Sequence, residues 1–133
     1  MPLHPPQYDA EVEGTGMKPA ALVMSRVVSY PNDGMITLDA GSKGLAAEAG
    51  SPVAKILGRC NGQGAVHASQ PSEEHLPCRL QEGTSPDQAG LARGMELWLF
   101  PRHVCPTVNM YDFAVLVESG KPPRTVPVDG RGH

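Results

Sequence analysis

The architecture is written most plainly in Ala20-Ala-Leu-Val-Met-Ser-Arg-Val-Val-Ser-Tyr-Pro-Asn-Asp-Gly-Met-Ile-Thr-Leu-Asp39. The run from Ala20 to Tyr30 is apolar and partly β-branched, which predicts a strand that is mostly buried. Pro31-Asn-Asp-Gly34 follows. Asp and Gly tolerate the left-handed backbone that tight hairpins favour, so this tetrapeptide predicts a turn. Met35-Ile-Thr-Leu-Asp39 then alternates apolar and polar, as a half-buried strand does. The whole stretch predicts a β-hairpin.

Outward from the hairpin, strand signals outnumber helical ones. Ser42–Ala49 predicts one or two helical turns, closed by Gly50 and Pro52. Val53–Leu57 reads as a short strand, 58–72 as a loop, and Glu73–Leu80 as short and mixed. Glu82–Gly90 is a further loop, and Leu91–Gly94 leads out of it. Glu96–Cys105 is a strong strand candidate interrupted by Pro101, followed by Tyr111–Glu118 and Thr125–Val128. Residues 1–19 read as a loose arm with a short strand near Tyr8–Val12, and 20–133 as a single β-domain. The predicted fold is all-β or β-dominated, a small barrel or sandwich with one short helix.

Composition agrees. The 133 residues include 15 Gly and 14 Pro, which suits short strands joined by turns. A complete α/β barrel of about 250 residues does not fit. The net charge of −3 comes without a basic stripe, arguing against nucleic acid as a partner. No apolar run approaches the roughly 20 residues that span a bilayer. Met1–Gln7 lacks the charged leader and apolar stretch of a signal peptide. The three cysteines, Cys60, Cys78 and Cys105, are odd in number and form no C-x-x-C pair. Free thiols in a reducing, cytoplasmic setting are the simplest expectation.

Several residue groups carry potential chemistry. If residues 97–105 stay extended, His103 and Cys105 share one strand face. Imidazole and thiolate are ligands that zinc prefers, and two of them leave positions open for water or substrate. The same pair also reads as a strand-end histidine beside an ordinary buried cysteine. Ser72-Glu-Glu-His75 reads either as a further ligand or acid/base group, or as a solvated loop. Asp39-Ala-Gly-Ser-Lys43 reads as a capped turn, or as an anion site at a helix start. His4, His67 and His133 receive no role. Glycine-rich nucleotide loops and the serine-hydrolase elbow are absent from the sequence.

In order along the chain, Val27-Val-Ser29, Leu38-Asp-Ala-Gly-Ser-Lys-Gly-Leu45, Ser72-Glu-Glu-His75 and Leu99-Phe-Pro-Arg-His-Val-Cys-Pro-Thr-Val-Asn-Met-Tyr-Asp112 form one pattern. It resembles the C-terminal domain of the D-serine dehydratase-like and D-threonine aldolase-like enzymes, alanine-racemase-like proteins that use pyridoxal phosphate. The resemblance covers about residues 8–132, and His103–Asn109 is its most specific part. It implies a C-terminal β-domain that completes an active site with an α/β barrel domain of the same or a partner chain, commonly across a homodimer. It implies zinc held by His103 and Cys105, with Glu74 and His75 supporting or bordering the site. Cys105, where the aldolase branch typically has Asp, tilts the chain towards the dehydratase branch. The cofactor lysine belongs to the barrel, so no pyridoxal-phosphate residue is expected here, and Lys43 does not take that role.

Two departures stand out. Leu76 follows the Glu-Glu-His motif where the family usually has glycine. Arg102 precedes His103 where asparagine is common, and its charge disfavours a second cation nearby. The resemblance therefore implies the metal-bearing domain of a D-amino-acid lyase, acting on D-serine, D-threonine or a related β-hydroxy D-amino acid and inactive without its barrel. No catalytic residue is assigned. The alternative is a stand-alone binding or oligomerisation module.

Overall fold

The computed structural model describes residues 19–59 and 64–132. The expected strand near Tyr8–Val12, most of the expected arm, and Cys60, His4 and His133 lie outside the described residues. Among the described residues eight strands run in chain order: β1 (Val23–Asn32), β2 (Met35–Leu38), β3 (Ala54–Ile56), β4 (Val66–Ala68), β5 (Leu76–Leu80), β6 (Glu96–Pro101), β7 (Phe113–Leu116) and β8 (Arg124–Pro127). Among the described residues, one short α-helix, α1 (Val104–Asn109), and a 3₁₀ turn at Ala47–Ala49 are the other regular elements. The β-dominated expectation holds.

Six strands form one antiparallel sheet in the order β3-β6-β1-β2-β5-β4. The sheet curls until its two edges nearly meet. Just beyond β3, the Arg59 carbonyl accepts the Val66 N–H of β4 at 2.7 Å. The result is a nearly closed barrel, an arrangement that leaves little unpaired edge. Its interior is filled by the inward residues of successive strands, among them Val27, Ile36, Leu38, Ile56, Val66, Leu76, Cys78 and Leu99. Each large aliphatic side chain removed from water contributes about 1.5–3 kcal/mol.

The β1–β2 hairpin forms where expected, with Ile36 and Leu38 fully buried. Two details differ. No described non-glycine residue has a positive φ, and Gly34 does not either. The turn is instead fixed by the Asn32 carboxamide, which accepts the Gly34 N–H at 3.0 Å. Nor is β1 mostly buried: Ser25 and Val27 face inward, while Met24 and Val28 are exposed. One side of a curled sheet faces the core and the other faces outward, so β1 buries only alternate residues.

Ser42–Ala49, expected to make one or two helical turns, forms a turn followed by a single 3₁₀ turn at Ala47–Ala49. Two further expectations are corrected. The 58–72 loop contains β4, a three-residue strand completed by pairing with β5. The extended run predicted through Cys105 stops at Pro101, and the chain enters α1 at Val104. Pro106 explains much of this. It cannot donate to a strand ladder, but the first turn of a helix has no intrahelical use for its N–H groups.

Strands β7 and β8 form a separate two-stranded sheet. Phe113 and Val115 share one of its faces and are 63 % and 65 % exposed, and Val117, just beyond β7, is 72 % exposed.

Candidate functional site

Three of the sequence motifs meet at one end of the barrel. The first is the 39–46 turn leaving β2. Ser25 donates its hydroxyl proton to the Asp39 carboxylate at 2.7 Å, and the Arg26 N–H donates to the same oxygen at 2.8 Å. Burial alone raises the Asp39 pKa, but these two donors and the Arg26 charge outweigh it and leave the carboxyl below its ordinary value.

The second motif, 72–75, lies directly against the first. Ser42 N–H donates to the Ser72 carbonyl at 2.8 Å, and Lys43 N–H to the Glu73 carbonyl at 3.1 Å. Gly41 allows this approach, because a Cβ there would overlap the Glu73 carbonyl. The Lys43 ammonium donates to Glu74 at 2.7 Å and lies 3.6 Å from Glu73. Its hydrogen bond with Glu74 raises the Lys43 pKa and lowers that of Glu74. His75 is exposed, and its main chain closes a small turn with Ser72.

The third is α1 with its flanks. His103 stands just before the helix in extended backbone, φ −130° and ψ 105°, and is half-buried. Cys105 lies in the first helical turn, exposed, on the wall of a cavity of about 570 Å³. Pro106, Val108, Asn109, Val128 and Gly130 line the rest. The chain after β8 supplies one wall. It is tied down by the Val128 N–H on the Asp112 carbonyl at 3.0 Å and by an Arg131–Asp112 ion pair at 2.9 Å.

Two side chains join α1 to the 39–46 turn. The Thr107 hydroxyl accepts the Ala46 N–H at 3.2 Å and donates to the His103 carbonyl at 2.8 Å. Tyr111 donates its phenolic proton to the Gly44 carbonyl at 2.9 Å, and partial burial raises its pKa. The sequence reading passes over both residues. The signal for Thr107 was present, since it lies one helical turn after His103, but that reading needs α1 to be recognised first.

Residues 20–117 match the family model described as the putative serine dehydratase domain. The chain belongs to that family.

The chain is also similar to enzymes of known activity. It is 32 % identical over 99 residues to a D-threonine aldolase of Arthrobacter sp., covering 74 % of this chain and 23 % of that one. It is 27 % identical over 114 residues to a 3-hydroxy-D-aspartate aldolase of Paracoccus denitrificans, covering 85 % and 26 % respectively. Among solved structures, D-threonine aldolase from Filomicrobium marinum superposes with a TM-score of 0.69 at 29 % identity, covering 86 % of this chain and 29 % of that one. An alanine-racemase-like protein from Idiomarina loihiensis shares the fold, with a TM-score of 0.67 at 18 % identity over 86 % of this chain and 34 % of the other. The chain thus spans about a quarter of the length of the curated relatives it matches.

The domain carries His103 and Cys105 two residues apart across a strand-to-helix corner, so the shared strand face expected from an extended 97–105 run does not form. Imidazole and thiol are donor types that zinc accepts, and the exposed thiol of Cys105 opens onto the cavity. Among the described residues no three His, Cys, Asp or Glu side chains gather in one metal-binding group. The described residues alone therefore supply at most two ligands at this corner. Glu74 is engaged by Lys43, and His75 makes no group of three with His103 and Cys105.

Proposed function

We propose that this chain is the metal-bearing β-domain of a pyridoxal-phosphate-dependent D-amino-acid lyase of the D-serine dehydratase or D-threonine aldolase type. It is inactive until a barrel domain, from the same or a partner chain, completes the site. The observation that carries this reading is the convergence of the 39–46 turn, the 72–75 loop and the His103–Cys105 corner at one end of the barrel. Residues separated by dozens of positions in the sequence meet there without contributing a complete ligand set.

His103 would offer a neutral imidazole nitrogen and Cys105 a thiolate, its thiol proton being released to solvent as metal binds. When bound, zinc supplies Lewis-acid stabilisation of a departing β-hydroxyl, and pyridoxal phosphate supplies an electron sink for the carbanion. The Lys43–Glu74 pair keeps Glu74 in its charged form and holds the 72–75 loop against the turn. Glu74 and His75 border the site, and neither is assigned as a ligand. Cys105, in place of an aspartate, favours the dehydratase reaction, in which D-serine yields pyruvate and ammonia.

The exposed face of β7–β8 supports a docking partner. That face also favours the second reading, a stand-alone module that associates with itself or another chain without catalysis. Among the described residues no helix is long and apolar enough to cross a membrane. The free thiols of Cys78 and Cys105 fit a reducing compartment such as the cytoplasm.

The test mixes the protein with the barrel domain of a related D-threonine aldolase, zinc and pyridoxal phosphate, and follows pyruvate release from D-serine. Activity confined to the mixture and lost in Cys105→Ala supports the lyase reading. A folded protein with no activity in the mixture and no zinc uptake moves the assignment to the binding module.

A further inference from the structure

We propose that Thr107, seconded by Tyr111, is a positioning residue that sets the His103–Cys105 corner for metal capture. This rests on the reading of those two residues as zinc ligands. Helix α1 has only six residues and no side-chain cap at its start. A helix so short does not hold its own geometry in water. The direction in which the corner presents its donors therefore depends on what ties α1 to the barrel.

Thr107 supplies that tie. It is 2 % exposed, and Ser25 is the other buried polar residue in the described core. A hydroxyl carries one proton, so its two bonds have fixed directions: it donates to the His103 carbonyl and accepts from the Ala46 N–H. The first bond restrains the peptide immediately after His103, the stretch of main chain from which His103 and Cys105 both project. The second fastens the same point to the buried Leu45–Ala46 segment. At the far end of the helix, Tyr111 holds the Gly44 carbonyl of the same turn. The corner is thus registered on the 39–46 turn at two points, and that turn is registered on the 72–73 main chain.

The experiment titrates zinc into the wild-type protein and into Thr107→Val, Thr107→Ser, Tyr111→Phe and His103→Ala. It follows imidazole resonances by NMR, which detects weak binding, and thermal unfolding in parallel. Valine keeps the shape of threonine and removes both hydrogen bonds, while serine keeps the hydroxyl. The expected result is a zinc affinity reduced about tenfold or more in Thr107→Val, as for other groups that orient a ligand. Thr107→Ser stays near wild type, and Tyr111→Phe weakens binding in the same direction. If Thr107→Val does not fold, the serine and phenylalanine variants carry the comparison. A folded Thr107→Val with lowered thermal stability and unchanged zinc affinity overturns the positioning role and leaves the ligand assignment standing. Equal zinc uptake by wild type and His103→Ala overturns the ligand assignment and the positioning role with it.

Discussion

Ser25 lies on β1 and Asp39 immediately follows β2, and the buried hydroxyl of Ser25 donates to the exposed Asp39 carboxylate at 2.7 Å. Together with the Arg26 N–H, this bond fixes the exit from β2 from which the 39–46 turn departs. Any displacement of the turn would reach α1 through Thr107 and Tyr111. The carboxylate is therefore a structural group of the hairpin exit.

The lowered Asp39 pKa sets a pH dependence. The folded state prefers ionised Asp39, so this contribution is complete above the unfolded value near 3.8 and is lost as pH falls through the lower folded value. Urea unfolding between pH 7 and pH 3 should show stability declining towards acid, with a shallower decline in Asp39→Asn. Ser25→Ala should cost about 1 kcal/mol at pH 7, the usual size for a lost hydrogen bond.

The two described cysteines should differ in reactivity. Burial pushes the Cys78 thiol up to about 12, whereas Cys105 is exposed on the cavity wall. In a Cys60→Ser background, a disulfide reagent such as DTNB should modify Cys105 in the native protein and Cys78 only on unfolding. The raised Cys78 value favours the protonated folded state, so its contribution is complete below the unfolded value near 9 and declines as pH rises towards 12. Cys78→Ala should flatten that alkaline decline. Rapid native modification of both thiols would contradict the closed core.

Gly41 should resist substitution. A methyl group at Gly41 would overlap the Glu73 carbonyl, which is main chain and has no rotamer by which to move aside. Gly41→Ala should destabilise the protein by about 1–3 kcal/mol, the range for overpacked sites. It should also loosen the Ser42–Ser72 and Lys43–Glu73 pairing, seen as faster amide exchange at Ser42 and Lys43.

The β7–β8 face should matter for association rather than folding. Phe113→Ser with Val115→Ser should leave thermal stability nearly unchanged, within about 0.5 kcal/mol as for exposed sites. The same double variant should lower binding to a related barrel domain and the mass seen by light scattering at high concentration. Trp98, the sole tryptophan, is 49 % exposed and offers a fluorescence check that the barrel is intact. Unaltered association would assign the docking role to another surface.

The hairpin was legible because Met35–Leu38 alternates and a strong turn tetrapeptide precedes it. Val66–Ala68 was not, because three residues in a glycine-rich stretch become a strand only by pairing with β5. The corner at His103 failed for a related reason. Val104, Cys105 and Thr107 have ordinary strand preferences, and their helical state depends on tertiary hydrogen bonds that no local window contains. The ordered motifs marked the site regions, while the Thr107 and Tyr111 ties required the folded chain.

The separation of β7–β8 from the six-stranded sheet has an evolutionary corollary. Substitutions on the outward face of this hairpin disturb no barrel packing and no ladder of the larger sheet. Selection can therefore retune what the domain adheres to without first compensating a loss of foldedness. The barrel keeps its shape through its interior, and the outward face of the hairpin is free to vary.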